Sequence, residues 1–299
     1  MFEFFVSQLF NGITLGSIYA LIALGYTMVY GILFMINFAH SEIFMLGAYI
    51  SLGIFIIVST LTAYFGIVIP LAVIVASMIV GIIGVIVELV AYRPLRSSPR
   101  LTPLISAISV SIILQNIVFI FVSNYAISYN IISDLLPSGN FLGFEYKGMI
   151  ITLITITLMV ILALFLSKSK FGIAIRATSQ DRNTASLMGI NVNMIISLVF
   201  FIGAFLGAVG GFFYGAYYSM IRYDMGFIPG IKAFTAAVVG GIGSIPGAVL
   251  GGFLIGIFEI FAESYISSTY KDVIVYSLLI LTLLLKPEGI LGERSIDKI

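Results

Sequence analysis

Residues 67–87 read IVIPLAVIVASMIVGIIGVIV and contain no Asp, Glu, Lys or Arg. A helix that crosses the hydrocarbon core of a bilayer needs about 20 apolar residues, so this run is long enough to span it. It belongs to a longer charge-free stretch, 43–87, and the rest of the chain repeats the pattern. The other charge-free stretches are 4–41, 101–133, 148–167, 183–221 and 233–258. The sequence therefore predicts a chain that crosses a membrane many times.

The composition of the 299-residue chain supports this prediction and excludes a soluble globule. Hydrophobic residues make up 61% and charged residues 9% of the chain, against roughly 45–50% and about 25% in soluble domains. A backbone in lipid must satisfy its own hydrogen bonds, which excludes an open sheet, and the runs lack the alternation of an outer-membrane barrel. The formal net charge of +1 gives no indication of binding to nucleic acid. We expect an all-α, polytopic transmembrane helical bundle, with residues 1–299 forming one domain in the lipid bilayer.

Run lengths and breaks divide the chain into about eight spans. Helices are predicted at 5–30, 43–59, 67–90, 104–122, 150–167, 195–218 and 266–285, with an irregular region at 231–261. Within that region, residues 239–247 read VGGIGSIPG, and Gly and Pro interrupt helices. Two interpretations stay open. The segment is an ordinary loop between two short helices, or a broken, re-entrant element that lines a path for a polar solute.

The positions of Lys and Arg predict how the chain is oriented in the membrane, because short loops rich in these residues stay on the cytoplasmic side. Loop 91–103 has three basic residues and no acid, and loop 168–194 has four basic residues against Asp181. Loop 123–149, between them, has a net charge of −1. The residues concerned are Arg93, Arg96 and Arg100; Lys168, Lys170, Arg176 and Arg182; and Asp134, Glu145 and Lys147. Both basic loops are predicted to be cytoplasmic, which puts the N-terminus outside.

Several chemistries are missing from the sequence. There is no Cys and only one His, and no G-x-x-x-x-G-K-[ST] loop is present, so we expect no catalytic residue, cofactor or metal site and no ATP hydrolysis by that route. An intramembrane enzyme would need a catalytic dyad in the spans. A stand-alone secondary transporter or channel for a small neutral solute would need an ion relay, yet the carboxylates are scattered. Glu88 is one turn from Arg93, so an ion pair or snorkelling accounts for it. Glu259 is near a helix end or at the membrane interface, and Asp272 is near the outer boundary.

Three polar groups remain as candidates for lining a path across the membrane. The first is the turn formed by Asn37, His40 and Glu42, and the second is a pair deep in span 104–122. The third is the glycine-rich break. The pair consists of Gln115 and Asn116, and the break contributes Gly240, Gly241, Gly243 and Ser244. The alternatives are a simple helix boundary for the turn and an interhelical hydrogen bond for the pair.

A short amphipathic helix is predicted at 178–189 in the second basic loop. Thr178 followed by Asp181 resembles a capping box, and Gly189 is a natural helix stop. One side is apolar and the other is charged, so the helix either lies on lipid or docks on a soluble partner. The apolar residues are Ala185, Leu187 and Met188, and the charged ones are Arg176, Asp181 and Arg182.

Glycines recur every four residues on two predicted helices. Small residues at this spacing form a smooth stripe that lets helices approach closely. The stripe favours packing within the chain, with a subunit interface or a moving seam as alternatives. The residues are Gly203, Gly207, Gly211 and Gly215 on one helix and Gly247, Gly251, Gly252 and Gly256 on the next.

Seven stretches, spread along nearly the whole chain, form a recognisable set of motifs. They are 11–31, INFAHSE at 36–42, AYRPLRSS at 91–98, ASLMGIN at 185–191, GIKAFTAAVVGGIGSIPG at 230–247, YKD at 270–272 and PEGILG at 287–292. Together they resemble the LivH-type permeases of bacterial branched-chain amino acid ABC importers. Ser41 departs from this family, which usually has Gly after Asn-Phe-Ala-His.

This resemblance implies a function and a set of partners. The chain would be a permease subunit of the bacterial inner membrane that carries Leu, Ile or Val. It would act with a second homologous permease, two cytoplasmic ATPases, and a periplasmic or lipid-anchored substrate-binding protein. In such importers a cytoplasmic permease helix docks on an ATPase, and segment 178–189 matches that position here.

Overall fold

The structure is a computed structural model that describes residues 1–61, 64–96, 98–99, 101–131, 139–141 and 143–292. Arg100 and Asp134, used above for orientation, lie outside these residues. The described helices are α1 Phe2–Leu33, α2 His40–Leu61, α3 Phe65–Val87, α4 Leu101–Phe121, α5 Tyr146–Lys168, α6 Lys170–Gln180, α7 Arg182–Leu187, α8 Val192–Tyr218, α9 Phe227–Gly240, α10 Ile245–Tyr265 and α11 Lys271–Leu285. A π-helical turn, Glu88–Tyr92, and a 3-10 turn, Arg93–Leu95, extend α3.

Strands contribute little to the described part of the chain. Each strand has two residues, and the two pairs are both antiparallel: β1 with β4, and β2 with β3. They are β1 Ile127–Ser128, β2 Asn140–Phe141, β3 Phe144–Glu145 and β4 Met220–Ile221. Seven of the described helices are long and apolar enough to cross a membrane: α1, α2, α3 with its extension, α4, α5, α8 and α10. The predicted all-α, polytopic bundle is confirmed.

Helix α1 is the buried centre of the bundle. Its 32 residues form one continuous helix of about 48 Å, and almost every side chain from Gly12 to Val29 is buried. The first span is therefore a single pass, as predicted. Helices α5, α8, α9 and α10 pack around it.

Side-chain contacts group the loops at two ends of the bundle. At one end, Arg96 donates to Asn193 Oδ1 at 2.7 Å, and Arg182 donates to the carbonyl of Ile32 in the last turn of α1. At the other end, Lys147 donates to the carbonyl of Tyr217 at 3.0 Å, and β1 pairs with β4. The two basic loops thus share one end, which we call the inner end, as the predicted orientation requires.

The glycine-rich region contains the predicted break. Helix α9 ends at Gly240, and residues 241–244 turn the chain into α10. Gly241 and Gly243 have φ values of 114° and 93°, a backbone region that favours glycine. With 14 residues, α9 extends for about 21 Å, shorter than a full span, whereas α10 is long enough.

The chain that follows α11 supplies hydrogen-bond donors to the last carbonyl groups of α9. The last carbonyls of a helix have no partner within the helix. Here the backbone N–H of Ile290 donates to the carbonyl of Val239 at 2.9 Å, and that of Leu291 donates to Gly240 at 2.8 Å. The break is therefore braced by chain that follows α11. Helix α11 itself begins at Lys271 and not at the predicted residue 266, because residues 266–270 form turns.

Both glycine ladders pack within the chain, as the favoured interpretation predicted. A Cβ atom on Gly211 would collide with the backbone of Phe44 in α2, and one on Gly256 would collide with Gly16 in α1. On the same ladders, Gly203 faces Gly25. The missing side chains let α8 and α10 lie directly against α2 and α1.

Candidate functional site

The second basic loop, at the inner end, forms two helices, α6 and α7, where one was predicted. Helix α6 begins after Ser169, whose side chain accepts from the N–H of Gly172 at 2.9 Å, and it runs through Gln180. Thr178 therefore lies inside α6, where its buried hydroxyl donates to the carbonyl of Ala174 at 2.7 Å. The prediction that Thr178 caps a helix at 178–189 is wrong, because the chain is already helical from Lys170.

Asp181 is the residue that caps α7. Its carboxylate accepts from the N–H of Asn183 at 2.8 Å and from the hydroxyl of Thr184 at 2.6 Å. Gly189 ends the helix as predicted, with a φ of 84°. The N–H of Ile190 donates to the carbonyl of Ala185, which completes a Schellman motif.

The apolar side chains at the C-terminal end of α7 do not all face the same way. Ala185 is buried against the bundle, whereas Leu187 and Met188 are 87% and 79% exposed. The predicted apolar side is thus divided. One residue holds the helix to the protein, and two large apolar side chains project away from it.

Two arginines tie this segment to the ends of transmembrane helices. Arg176 donates to the carbonyl of Leu166 in α5, and Arg182 donates to that of Ile32 in α1. Partial burial lowers the pKa of the Arg182 guanidinium, which nevertheless stays charged at neutral pH. Basic side chains at the C-terminal ends of helices also offset the negative end of the helix dipole.

A cleft of about 500 Å³ opens between these elements at the inner end. It brings together Arg176 of α6 and Gly243 of the break, two candidates that are 67 positions apart in the sequence. The wall also includes Thr27, Tyr30, Ser179 and Pro246. The segment that contains α6 and α7 is therefore adjacent to the break between α9 and α10.

Glu88 forms the predicted ion pair, within a larger cluster. Its fully buried carboxylate lies 3.0 Å from Arg93 and also contacts Arg96. Ser197 of α8 donates to the same carboxylate at 2.7 Å. The cluster joins the π-helical turn after α3 to the start of α8.

The polar turn at the start of α2 lies deep in the bundle. The hydroxyl of Tyr92 donates to Asn37 Oδ1 at 2.8 Å. The ring of His40 packs on that of Tyr26 with centroids 4.8 Å apart, and it fits against Gly25. Asn37 is thus buried and paired. His40 is buried with its ring packed, and its Nε2 has no hydrogen-bond partner among the described residues.

Glu42 is placed differently from its neighbours. Ser111 of α4 donates to Glu42 Oε1 at 3.4 Å, while Oε2 lies beside Gly226. No hydrogen-bond partner of Oε2 is found in the part of the chain that the structure describes. The start of α2 therefore brings a buried carboxylate to α4 and to the connection before α9.

The other candidates do not gather around Glu42. Gln115 is half-buried, and Asn116 is exposed and donates to Ile112 of its own helix at 2.8 Å. An interhelical bond for Asn116 is therefore wrong within the described residues. Gly240, Gly241, Gly243 and Ser244 belong to the inner-end turn, where Ser244 caps α10 by accepting from Gly247 at 3.2 Å. The length of α9 separates them from Gly226.

A buried ion cluster around Lys232 was missed by the sequence analysis. Lys232 Nζ lies 2.6 Å from Glu259 and 2.6 Å from Asp272, so α9 is tied to α10 and α11. Tyr19 of α1 donates to the second oxygen of Glu259 at 2.9 Å. Glu259 is thus buried and paired, and does not lie at the interface. One feature of the sequence could have indicated this cluster. Lys232 is a single lysine within an apolar stretch, and charged residues inside membrane spans usually have a role.

Comparisons with known proteins agree with the helical architecture. The family model described as branched-chain amino acid transport system / permease component matches residues 8–283. The permease protein BraD of the Pseudomonas aeruginosa high-affinity branched-chain amino acid transport system is 48% identical, over 99% of this chain and 98% of its own length. The LivH permease proteins of the corresponding systems are 45% identical in Salmonella typhimurium and 44% identical in Escherichia coli, each over 100% of this chain and 99% of the relative.

No solved structure matches the chain. The family match covers most of the sequence, and the relatives align from end to end at well above 30% identity. The resemblance first indicated by the motifs at residues 36–42 and 230–247 is therefore confirmed. This chain is a multi-pass membrane protein that belongs to the family of branched-chain amino acid transport system permease components.

Proposed function

We propose that this chain is a transmembrane permease subunit of an ATP-driven importer in the bacterial inner membrane. Together with a second, related permease it forms the path for Leu, Ile or Val. The observation that carries the proposal is the end-to-end similarity, at 44–48% identity, to permease proteins of branched-chain amino acid transport systems. Two cytoplasmic ATPases supply the energy, and a periplasmic or lipid-anchored binding protein delivers the substrate.

Helix α7 and the residues that follow it are the proposed docking element for an ATPase. Leu187 and Met188 project from the inner end as large, exposed apolar side chains. Neighbouring exposed apolar side chains mark surfaces that contact another protein or a membrane, and Met is enriched at protein interfaces. The Asp181 cap and the Gly189 stop hold them on a rigid turn.

Arg176 and Arg182 are the proposed mechanical links. When ATP closes the ATPase pair, movement of α7 would pull on the ends of α1 and α5 through these two contacts. The adjacent cleft joins the same segment to the break between α9 and α10. The arrangement supports a path that opens and closes when a partner moves.

An ion-driven transporter is the less supported alternative. A proton or sodium relay needs titratable groups in a series across the membrane. Among the described residues, the buried carboxylates of Glu88 and Glu259 lie in separate, paired clusters. Neither cluster continues as a line of carboxylates from one end of the bundle to the other in that part of the chain.

Docking is tested by adding a charge at the exposed turn. Leu187→Asp should leave the chain folded, because the side chain makes no buried contact, and should strongly reduce co-purification of co-expressed ATPase. Tyr125→Asp is the matched control, since Tyr125 is 76% exposed at the opposite end. Equal recovery of ATPase with both variants would contradict the docking role.

Transport is tested by reconstituting the chain with its permease, ATPase and binding-protein partners in liposomes. We expect ATP-dependent uptake of labelled leucine that excess isoleucine or valine inhibits and lysine does not. No uptake is expected when this chain is omitted. Uptake of a different solute class, with none of leucine, would overturn the proposal.

A further inference from the structure

Glu42 is a buried carboxylate with an oxygen that no described residue satisfies. The residue is 1% exposed, and Oε2 has no hydrogen-bond partner within the described ranges. Leaving a charged group buried and unpaired is costly. By contrast, Glu88 and Glu259, the other carboxylates buried to this degree in the described part, are each held by a basic residue. This difference makes Glu42 the buried carboxylate, among the described residues, that is open to a partner from outside the chain.

The depth of Glu42 puts this oxygen within the membrane region. His40, two residues earlier, packs on Tyr26, which lies about two turns, or roughly 10 Å, before the end of α1. The carboxylate is therefore well inside the bundle and not at the inner surface.

A second buried polar atom lies on the same side of α2. Tyr49 is 8% exposed, and its hydroxyl also lacks a described partner. Seven residues place Tyr49 two turns from Glu42, about 10 Å nearer the outer end. With His40 Nε2, α2 has three buried polar atoms that lack a described partner, and these indicate a polar route and not an isolated packing defect.

The connection between α8 and α9 covers this side of α2. Arg222 and Asp224 form an exposed ion pair at 2.8 Å near its outer part, and the ring of Tyr223 lies against Phe119 of α4. The connection ends at Gly226, where it meets Glu42 and α9 begins. It thus links the outer surface to the buried carboxylate.

The chemistry around Glu42 suits a zwitterion. A carboxylate that accepts from Ser111 and retains a free oxygen can form a charge-assisted hydrogen bond to an ammonium group. The start of α9 carries the positive end of a helix dipole, which favours a negatively charged group nearby. An amino acid carries both charges, because its ammonium and carboxylate groups are attached to the same carbon atom.

We propose that Glu42 binds the α-ammonium group of the transported amino acid, with Ser111 and the start of α9 in the same subsite. The inference rests on the proposed function, since it assigns the residue that contacts its substrate. Substrate would reach Glu42 from the outer end, along Tyr49 and the connection before α9.

The test uses the complete reconstituted importer and the variant Glu42→Gln, which keeps the shape and removes the charge. Losing a charge-assisted contact should lower leucine uptake about tenfold to a hundredfold. Hydrolysis of ATP stimulated by the loaded binding protein should stay within about twofold, because docking and ATP binding occur elsewhere. Glu263→Gln is the control, since Glu263 pairs with Lys271 away from Glu42. Uptake by Glu42→Gln equal to that of the unaltered importer would overturn the inference.

A second variant covers the case in which Glu42→Gln does not assemble. The chain has no Cys, so Ser111→Cys introduces a single reactive thiol beside Glu42. Leucine, supplied with the binding protein and ATP, should slow its modification by a cationic thiol reagent severalfold. An unchanged rate would overturn the inference. Absence of leucine uptake by the unaltered importer would refute the proposed function itself, and the inference would fall with it.

Discussion

Charged side chains inside this bundle are held by specific partners. Glu88 is fully buried against two arginines and a serine, and Lys232 is shared between Glu259 and Asp272. Each cluster joins helices that are distant in the sequence. Removing one member of a buried pair leaves an uncompensated charge, which costs more than the pair itself contributes.

Replacing Lys232 by Met tests this description. We expect Lys232→Met to destabilise the chain by about 3–5 kcal/mol, because Glu259 would remain buried without a cation. Lys271→Met should cost about 1 kcal/mol or less, since that pair with Glu263 is partly exposed. The measurement is the denaturant midpoint followed by circular dichroism. Adding Glu259→Gln to Lys232→Met should recover part of the loss, and no recovery would contradict the pairing.

Residue-level predictions succeeded where the partner is near in sequence. The Glu88–Arg93 pair follows from one helical turn of separation. Lys232 and Asp272 are brought together only by the packing of α9 against α11, which no local pattern encodes. The capping error has a similar origin. Thr178 and Asp181 are both good caps, and the helix that starts at Ser169 decides between them.

At the level of elements, the bundle depends on helices that touch backbone to backbone. Gly12, Gly16 and Gly256 lie where α1 and α10 meet, and Gly211 meets α2. Dispersion contacts and weak hydrogen bonds stabilise such close approaches in a membrane, where burial from water adds little.

Adding one methyl group at this contact should therefore be costly. Gly256→Ala places a Cβ against the backbone of Gly16, and overpacking of this kind costs about 1–3 kcal/mol. Gly53→Ala is the matched control, because Gly53 is in α2 with open space around its Cα, and there alanine should be neutral or stabilising. The melting temperatures of the two purified variants provide the comparison. A similar shift for both would contradict close α1–α10 packing.

The element boundaries show what run length and turn chemistry predict. Apolar runs identified six of the seven long spans, and Gly and Pro located the break between α9 and α10. Helix α10 is a full-length helix inside the region predicted to be irregular, whereas the predicted span 266–285 contains only the 15-residue helix α11. The short length of α9 was not predictable, because the helix begins where Gly226 lies against Glu42, a residue far away in the sequence.

For the whole molecule, the proposed function requires one orientation in the membrane. Contacts place the loops near Arg96 and Arg182 at the same end as the break between α9 and α10, and the basic charge predicts that this end is cytoplasmic. Single cysteines test this in the cysteine-free chain. A membrane-impermeant thiol reagent added to intact spheroplasts should label Ser123→Cys and Ser267→Cys, whereas Ser98→Cys and Ser186→Cys should react only after lysis. The reverse pattern would contradict the orientation.

The bundle, and the position of both basic loops at one end of it, were predictable because both follow from where charges are absent and where they cluster. The path was less predictable. Asn37, His40 and Glu42 are neighbours in sequence, yet Asn37 is paired with Tyr92, whereas His40 Nε2 and Glu42 Oε2 have no partner among the described residues. Which polar residue remains unpaired depends on every helix around it.

The source of energy for transport distinguishes an ATP-driven importer from an ion-driven one, and it can be measured directly. Proteoliposomes that contain the complete importer receive labelled leucine and the binding protein, with ATP inside and with ionophores that collapse proton and sodium gradients. We expect uptake that persists with ionophores and stops when ATP is replaced by a non-hydrolysable analogue. Uptake that continues without hydrolysable ATP and disappears with the ionophores would refute ATP-driven transport.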